Sequence, residues 1–561
     1  MALETPLTHP LFEKHRATLD GALAAIRSRG FWSAYPEQPS PKVYGETAND
    51  DGKAKAAAYA GKRFELDQPG IADWIATEQS PYGVPLDVKY PKCDPQALVD
   101  VGLAAMAEWQ KFGVDGRTGV CLEALARINK ASFEIGYTVM HTTGQGWMMA
   151  FQAGGPHAQD RGLEAVAYAY RAMSEVPAEA RWEKPQGKNP PIVMEKRFEV
   201  VGRGVALVIG CGTFPTWNTY PGLFAALVTG NPVIVKPHPN AVLPAAISVK
   251  IIRDVLQESG LDPNLVTLFV TDDPTQTQAL ATNPAVKSID FTGSNAFGQW
   301  LMDHARQAQV YAELAGVNNV VIESTDSYKA MLRNLAFTLS LYSGQMCTTT
   351  QDIFVPAGGI ETDEGEKSFD QVAADLGAAV GKFLADPAVA TAVLGAIQSP
   401  DTLKRIDEAP QLAEVVLASK KIDHPDFPNA NVRTPVLLKS DAVNEAVFMQ
   451  ERFGPISFVV KARDWKAAVA LSERAVKEHG ALTVGLYSMN QEVVDAMTEA
   501  TLRAGVSLSI NLTGNVFVNQ SAAFSDFHAT GANPAANASY TDSAFVANRF
   551  RVVQRRWHAA V

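Results

Sequence analysis

The sequence predicts an α/β protein built on a doubly wound parallel sheet, followed by a second α/β domain. Three observations carry that expectation. Between Val201 and Glu313, apolar strands alternate with helical segments, five strands and four helices in about 110 residues. After Cys347 the alternation resumes and runs to about residue 510. A chain of 561 residues, 47% of them hydrophobic, is too long for one core yet rich enough to fill two or three.

Taken in order, residues 1–85 combine a short helical pattern at 11–27 with a polar, turn-rich tract at 36–53, and carry no recognisable site. Helical periodicity begins at Asp94, an N-cap before Pro95, and Ala-rich amphipathic helices continue to about Met173 with a break at 144–155. These helices are expected to cover a face of the sheet. The first strand, 205–209, leads into the turn Gly210-Cys211-Gly212-Thr213-Phe214-Pro215 and a helix at 222–228. The second, 232–235, ends in Lys236-Pro237-His238-Pro239 before a helix at 242–258. The third, 265–270, enters its helix through Asp272-Asp273-Pro274, with Pro at the first helical position. The fourth, 286–291, runs into Thr292-Gly293-Ser294 and a helix at 296–307, and the fifth ends at Glu313. Later segments at 352–355, 369–384, 457–460, 467–479, 482–487 and 506–511 continue the pattern.

Doubly wound sheets place ligands at the carboxyl ends of their strands, so those turns are where binding is sought. Ser294 and Gly293 stand before a helix and suit a pyrophosphate, although a Gly-Ser turn is also an ordinary cap. Lys236, at a strand end, suits a ribose or phosphate. No G-x-G-x-x-G follows the first strand, so the usual dinucleotide fingerprint is absent.

The stretch from Glu313 to Cys347 carries the chemistry. A thiol can act as a covalent nucleophile, and a carboxylate nearby can activate water against the thioester that forms. The four cysteines, Cys93, Cys121, Cys211 and Cys347, are far apart and show no Cys/His ligand spacing, so neither a disulfide framework nor a metal site is expected. A net charge of −11 argues against nucleic acid or an anionic membrane as partner, and no apolar run approaches a spanning helix, so a cytoplasmic protein is expected.

Read together, Gly230-Asn231-Pro232-Val233-Ile234-Val235-Lys236-Pro237, Phe291-Thr292-Gly293-Ser294, Glu313-Leu314-Ala315-Gly316, Gly344-Gln345-Met346-Cys347 and Glu451-Arg452-Phe453-Gly454-Pro455 resemble the aldehyde dehydrogenase superfamily over roughly residues 95–555. The resemblance implies the corresponding fold: a dinucleotide-binding domain at 86–188 and 203–312, a catalytic domain at 313–510, and oligomerisation strands with a substrate-tunnel tail at 189–202 and 511–561, behind an N-terminal extension at 1–85. It implies a homo-oligomer and a small-molecule aldehyde substrate. Cys347 would attack the aldehyde and Glu313 would activate water, which favours an acid product over transfer to coenzyme A. Lys236 would contact the adenosine ribose, Ser294 and Gly293 the pyrophosphate, and Glu451 with Phe453 the nicotinamide ribose. The turn around Cys211 to Asn218 and the tail from Phe524 to Asn537 are similar to the phenylacetic acid degradation branch, which implies an aromatic or ring-opened semialdehyde.

Two positions depart from the family pattern. Its oxyanion asparagine sits in a Trp-Asn-Phe-Pro turn; residue identity points to Asn218, whereas counting back from Thr229-Gly230-Asn231 puts Thr213 in that place, and spacing is given more weight. Three residues beyond Lys236, where NAD-preferring relatives often carry a glutamate, stands Pro239. Lys236 and His238 then supply positive charge, and NADP is expected over NAD. Two other readings stay open: a coenzyme A-acylating aldehyde dehydrogenase, and a catalytically silent binding or scaffold protein. An active enzyme, unlike the silent one, is expected to hold Cys347 as a thiol of depressed pKa.

Overall fold

The computed structural model describes residues 9–314, 316–514 and 516–559. Ala315 of the Glu-Leu-Ala-Gly motif, residues 1–8 of the N-terminal extension, and Asn515 with residues 560–561 of the tail lie outside the described residues.

Strand Val205–Ile209 forms the middle of a five-stranded parallel sheet in the order Val266–Leu268, Val233–Lys236, Val205–Ile209, Val286–Thr292, Gln309–Glu313. The first strand lies centrally, and the chain winds out to one side before returning to the other. The switch point therefore lies between Val205–Ile209 and Val286–Thr292. All five residues of Val205–Ile209 are buried, as expected for a strand covered on both faces. One cover is helix Thr219–Val228, buried along its whole length against helix Pro156–Ser174. Its last carbonyls, which no helical N–H can reach, accept from Trp109 Nε1 and Arg117 Nε.

A second sheet of seven strands takes the order Glu414–Leu417, Val436–Asp441, Ile456–Ala462, Thr350–Pro356, Asn318–Ile322, Thr483–Tyr487, Ser507–Ile510. All its pairings are parallel except that of Glu414–Leu417. A third, antiparallel sheet joins Phe550–His558, Asn189–Gly202 and Glu179–Gln186. The strand at 179–186 falls inside the segment assigned from sequence to the cofactor domain; it instead forms a hairpin with 189–202. Its charged, exposed alternation reads as loop until the partner strand is seen. Residues 144–155 also contain more than a break: Gly144, at φ 85°, ends one helix and Trp147–Gly154 forms another.

The tail stitches the two large sheets together. Asn537 lies along the free edge of Gln309–Glu313: its Oδ1 accepts from Ala312 N, and its Nδ2 donates to Val310 O. Four residues earlier, Asn533 accepts from Ala481 N and donates to Ala481 O and Gly505 O, at the second sheet. Farther on, Arg549 donates two hydrogen bonds of 2.6 and 2.8 Å to Asp290, inside the first sheet, and both side chains are buried. Arg549 also lies over the Tyr311 and Phe545 rings. Gly222 lets the cover helix sit directly on this pair, because a Cβ there would fall 2.4 Å from Asp290 Cγ.

Removing one partner of a buried ion pair leaves the other charge unpaired, at about 3–5 kcal/mol. Asp290→Ala should lower the midpoint of guanidinium unfolding by a corresponding amount. A control at an exposed pair, such as Lys466→Ala at Lys466–Glu492, should leave it nearly unchanged.

Candidate active site

A cavity of about 560 Å³ opens at the switch point of the first sheet and reaches the catalytic turn of the second domain. Cys347, Glu313, Asn218 and Thr213 line it, together with Lys236, Gly293, Ser294, Glu451 and Phe453. All nine residues singled out from sequence thus face one space.

Cys347 follows a tight bend in which Tyr342 and Ser343 adopt left-handed backbone, φ 52° and 47°. Gly344 comes next at φ 62°, where a Cβ would strike Gly454 O at 2.4 Å. Ser343 Oγ contributes hydrogen bonds to Leu394 O and Arg433 O that hold the bend. Asn318 fixes the other side: its Nδ2 donates to Cys347 O at 2.8 Å and to Thr349 O at 3.1 Å, while its Oδ1 accepts from Leu482 and Thr483. Strain of this kind persists only where the surroundings over-determine it.

Glu313, the last residue of its strand, is fully buried. Asn218 Nδ2 donates to Glu313 Oε2 at 3.2 Å, and Cys211 Sγ donates to Asn218 Oδ1 at 3.4 Å. The placement of Asn218 comes from its helix, which starts at Thr219 rather than 222 and leaves Asn218 at the end of the preceding turn. The helix keeps ten residues with Asn218 at its N-cap. Thr213 instead offers its carbonyl to Gln145 Nε2 and its hydroxyl to Cys211 Sγ, 4.0 Å away.

The residue that sequence reasoning left without a role in the substrate-tunnel tail is His528. Its Nε2 stands 3.8 Å from Cys347 Sγ and 3.2 Å from Glu313 Oε1. Donor atoms of Glu313, Cys347 and His528 lie within 4.8 Å of one another, a grouping of metal-ligand type that the sequence spacing of Cys and His did not reveal. A histidine 181 positions from the cysteine carries no local signal. The same holds for Asn318, and for Gln398, which lines the cavity and donates to Gly212 O.

Electrostatics at this end are opposed. Burial and the Glu313 carboxylate push the Cys347 thiol well above its ordinary pKa, contrary to the depressed value expected from sequence. For Glu313, burial pushes upward, but the neighbouring His528, the Cys347 thiol and Arg161 outweigh it and hold the carboxyl low. Cys211 is pushed up to about 11 by burial.

At the other end, Lys236 is 9% exposed, and its ammonium has no hydrogen bond or ion pair among the described residues. Burial lowers it to about 8. His238 is lowered to about 4, by burial first and then by Lys236, so it is neutral at pH 7. Of the two positive charges expected there, only Lys236 remains. Ser294 lines the cavity and caps helix Asn295–His304 by accepting from Phe297 N, so the positive end of that helix lies at the cavity wall. Glu451 is pushed up to about 7 by burial, with Gly316 N hydrogen-bonding to it, and Gln351 holds its loop by accepting from Arg452 N. A buried cation unpaired among the described residues, a helix N-terminus and a buried carboxyl on the wall of one cavity fit a dinucleotide with its phosphates and riboses.

Residues 90–545 match the model of the aldehyde dehydrogenase family. The fold superposes on the crystal structure of an NAD-dependent aldehyde dehydrogenase from Burkholderia multivorans with a TM-score of 0.98 and 58% identity, covering 99% of this chain and 100% of that one. An N-succinylglutamate 5-semialdehyde dehydrogenase of Paraburkholderia xenovorans is 28% identical over 411 residues, 72% of this chain and 78% of the relative. A putative aldehyde dehydrogenase family 7 member A1 homolog of Caenorhabditis elegans is 27% identical over 281 residues; that match spans 48% of this chain and half the length of the relative.

Proposed function

Because the chain belongs to the aldehyde dehydrogenase family, we propose that it oxidises an aldehyde to a carboxylic acid with a nicotinamide dinucleotide, through a covalent thioester on Cys347. The observation that carries this reading is the meeting of Cys347, Glu313 and Asn218 at one end of a cavity whose other end holds Lys236 and Ser294.

When bound, the dinucleotide accepts the hydride of the aldehyde carbon. The chain's own residues do the rest. Lys236, Ser294 and the close backbone approach at Gly293 hold the adenosine half, and Glu451 with Phe453 holds the nicotinamide ribose. Cys347 forms the carbon–sulfur bond, and the oxygen that turns anionic is met by Asn218 Nδ2 and the Cys347 backbone N–H. Glu313 then takes a proton from water, whose oxygen displaces the thiol. Hydrolysis is preferred over acyl transfer to coenzyme A because a buried, ionised carboxylate stands beside the thioester. A silent scaffold has no use for this arrangement.

Cofactor choice is balanced. Pro239 in the cavity wall leaves no carboxylate to repel a 2′-phosphate, which supports NADP. Neutral His238 gives such a phosphate little charge, and the 58%-identical structure is named NAD-dependent, so NAD is the stronger candidate. The residues similar to the phenylacetic acid degradation branch support an aromatic or ring-opened semialdehyde as substrate. The exposed strand Phe550–His558, with Val552, Val553 and Trp557 uncovered, supports a homo-oligomer, to be read by light scattering. Among the described residues no single helix is long and apolar enough to cross a membrane, in keeping with a cytoplasmic enzyme.

A panel of aromatic and aliphatic aldehydes, each with NAD and with NADP, should show turnover that Cys347→Ala abolishes. Reduced cofactor formed at the wild-type rate by that variant would exclude the covalent mechanism. Glu313→Gln should keep its first burst of hydride transfer and accumulate the acyl-enzyme, seen as added mass on Cys347, with steady-state turnover down about 100-fold or more. Coenzyme A added at that stage should yield no acyl-coenzyme A in the wild type; its appearance would favour the acylating enzyme. Asn218→Ala should lower kcat by about 100- to 1,000-fold, while Thr213→Ala stays within a few-fold of wild type. The reverse order would return the oxyanion to Thr213.

A further inference from the structure

Attack requires that Cys347 first lose its proton, and two of its neighbours oppose that loss while a third side chain favours it. Thiol and carboxylate are buried together, so a thiolate next to Glu313 would place two negative charges in one dry pocket. Among the described residues, the basic ring beside both is His528, 4% exposed, with Nε2 3.8 Å from Sγ and 3.2 Å from Glu313 Oε1.

Its ring is held from every side. Nδ1 lies 3.1 Å from Ser521 Oγ, the Trp217 ring meets it edge-on at 4.5 Å, and its backbone pairs with Tyr540 in both directions. Ser521 Oγ also accepts from Arg161 Nη2 at 3.3 Å. That oxygen can accept from Nδ1–H as well, which leaves Nε2 bare and turned to the thiol. A second observation agrees. Among the described residues no aligned donor reaches the buried Glu313 Oε1, which stands beside the ring nitrogen that would become N–H.

We propose that His528 is a catalytic residue: its Nε2 takes the proton of Cys347, and Glu313 steadies the imidazolium so formed. The proposal rests on the roles given above to Cys347 and Glu313. The S–H bond breaks and the Nε2–H bond forms, and the thiolate pair attacks the aldehyde carbon. The two electrons of the carbon–hydrogen bond leave as hydride to the nicotinamide dinucleotide, giving the thioester. Glu313 takes a proton from water as its oxygen adds to the acyl carbon. The carbon–sulfur bond breaks, the departing sulfur recovers its proton from His528, and Glu313 releases its own to solvent. The other charged and titratable groups facing this exchange are Cys211 from the turn after the first strand, Arg161 and Glu164 from helix Pro156–Ser174, and Tyr540 from the tail.

The test follows alkylation of Cys347 by iodoacetamide from about pH 5 to about pH 10, read by mass on the Cys347 peptide, in wild type, His528→Ala and His528→Gln. The single-turnover burst of hydride transfer is measured on the same proteins. Glutamine keeps a donor for Glu313 and roughly fills the ring's place but cannot take the proton, so it separates packing from proton transfer. Both variants should lose about 100-fold of burst rate, shift the alkylation profile to higher pH, and keep wild-type cofactor affinity. Added imidazole should restore part of the burst in His528→Ala. An unshifted alkylation profile in His528→Gln, or a burst within about threefold of wild type, overturns the role. Failure of the underlying mechanism reads differently, as turnover by Cys347→Ala.

Discussion

The buried ion pair between Asp290 and Arg549 sets the path of the last fifty residues. Once Arg549 is fixed inside the first sheet, the chain between Ser507–Ile510 and Phe550–His558 has to cross the gap between the two large sheets. It crosses at Glu313, where Leu314 N donates to Ala535 O, with Asn533 holding one sheet and Asn537 the other. Helix Pro156–Ser174 clamps the earlier part, as Arg161 donates to Asp526 O and Tyr540 O and Glu164 accepts from Phe524 N. His528 reaches the nucleophile because both ends of its loop are tied in this way. The N-terminal segment adds to the clamp: Arg29 pairs with Glu164 and lies over Phe527, and Trp32 packs edge-on to Phe524. Residues that looked siteless in sequence thus support the loop behind the site.

Strand and helix order in the first sheet was legible because its central strands, Val205–Ile209 and Val233–Lys236, are buried throughout and bounded by Gly or Pro, so local composition and final environment agree. Cys347 and Glu313 were legible because each sits in a turn whose small residues are themselves required, as Gly344 against Gly454 illustrates. His528, Asn318 and Gln398 were not. Each owes its place to partners more than a hundred positions away, or to a loop whose course is set by ion pairs and amide bridges, and single-residue chemistry does not announce such a course. Asn218 shows the intermediate case. Its identity points toward the Asn218–Glu313 hydrogen bond, whereas the count from the next strand starts the helix at 222 and leaves residues 219–221 in the turn.

Charge was the least legible property. Sequence places Lys236 and His238 side by side and suggests two cations, but burial and mutual repulsion leave His238 uncharged at pH 7. Burial likewise turns Cys347 into a resting thiol instead of a standing thiolate. A thiol held in this form is protected from adventitious oxidation and alkylation, which act on the thiolate.

The contact of Gly344 with Gly454 has a mechanical meaning. No side chain separates the bend that carries Cys347 from the segment Glu451-Arg452-Phe453, and Arg405 donating to Phe453 O braces the same segment from behind. Backbone touching backbone leaves almost no slack. The bend that carries Cys347 and the segment Glu451-Arg452-Phe453 are therefore coupled through their backbones, and a shift of one has to displace the other.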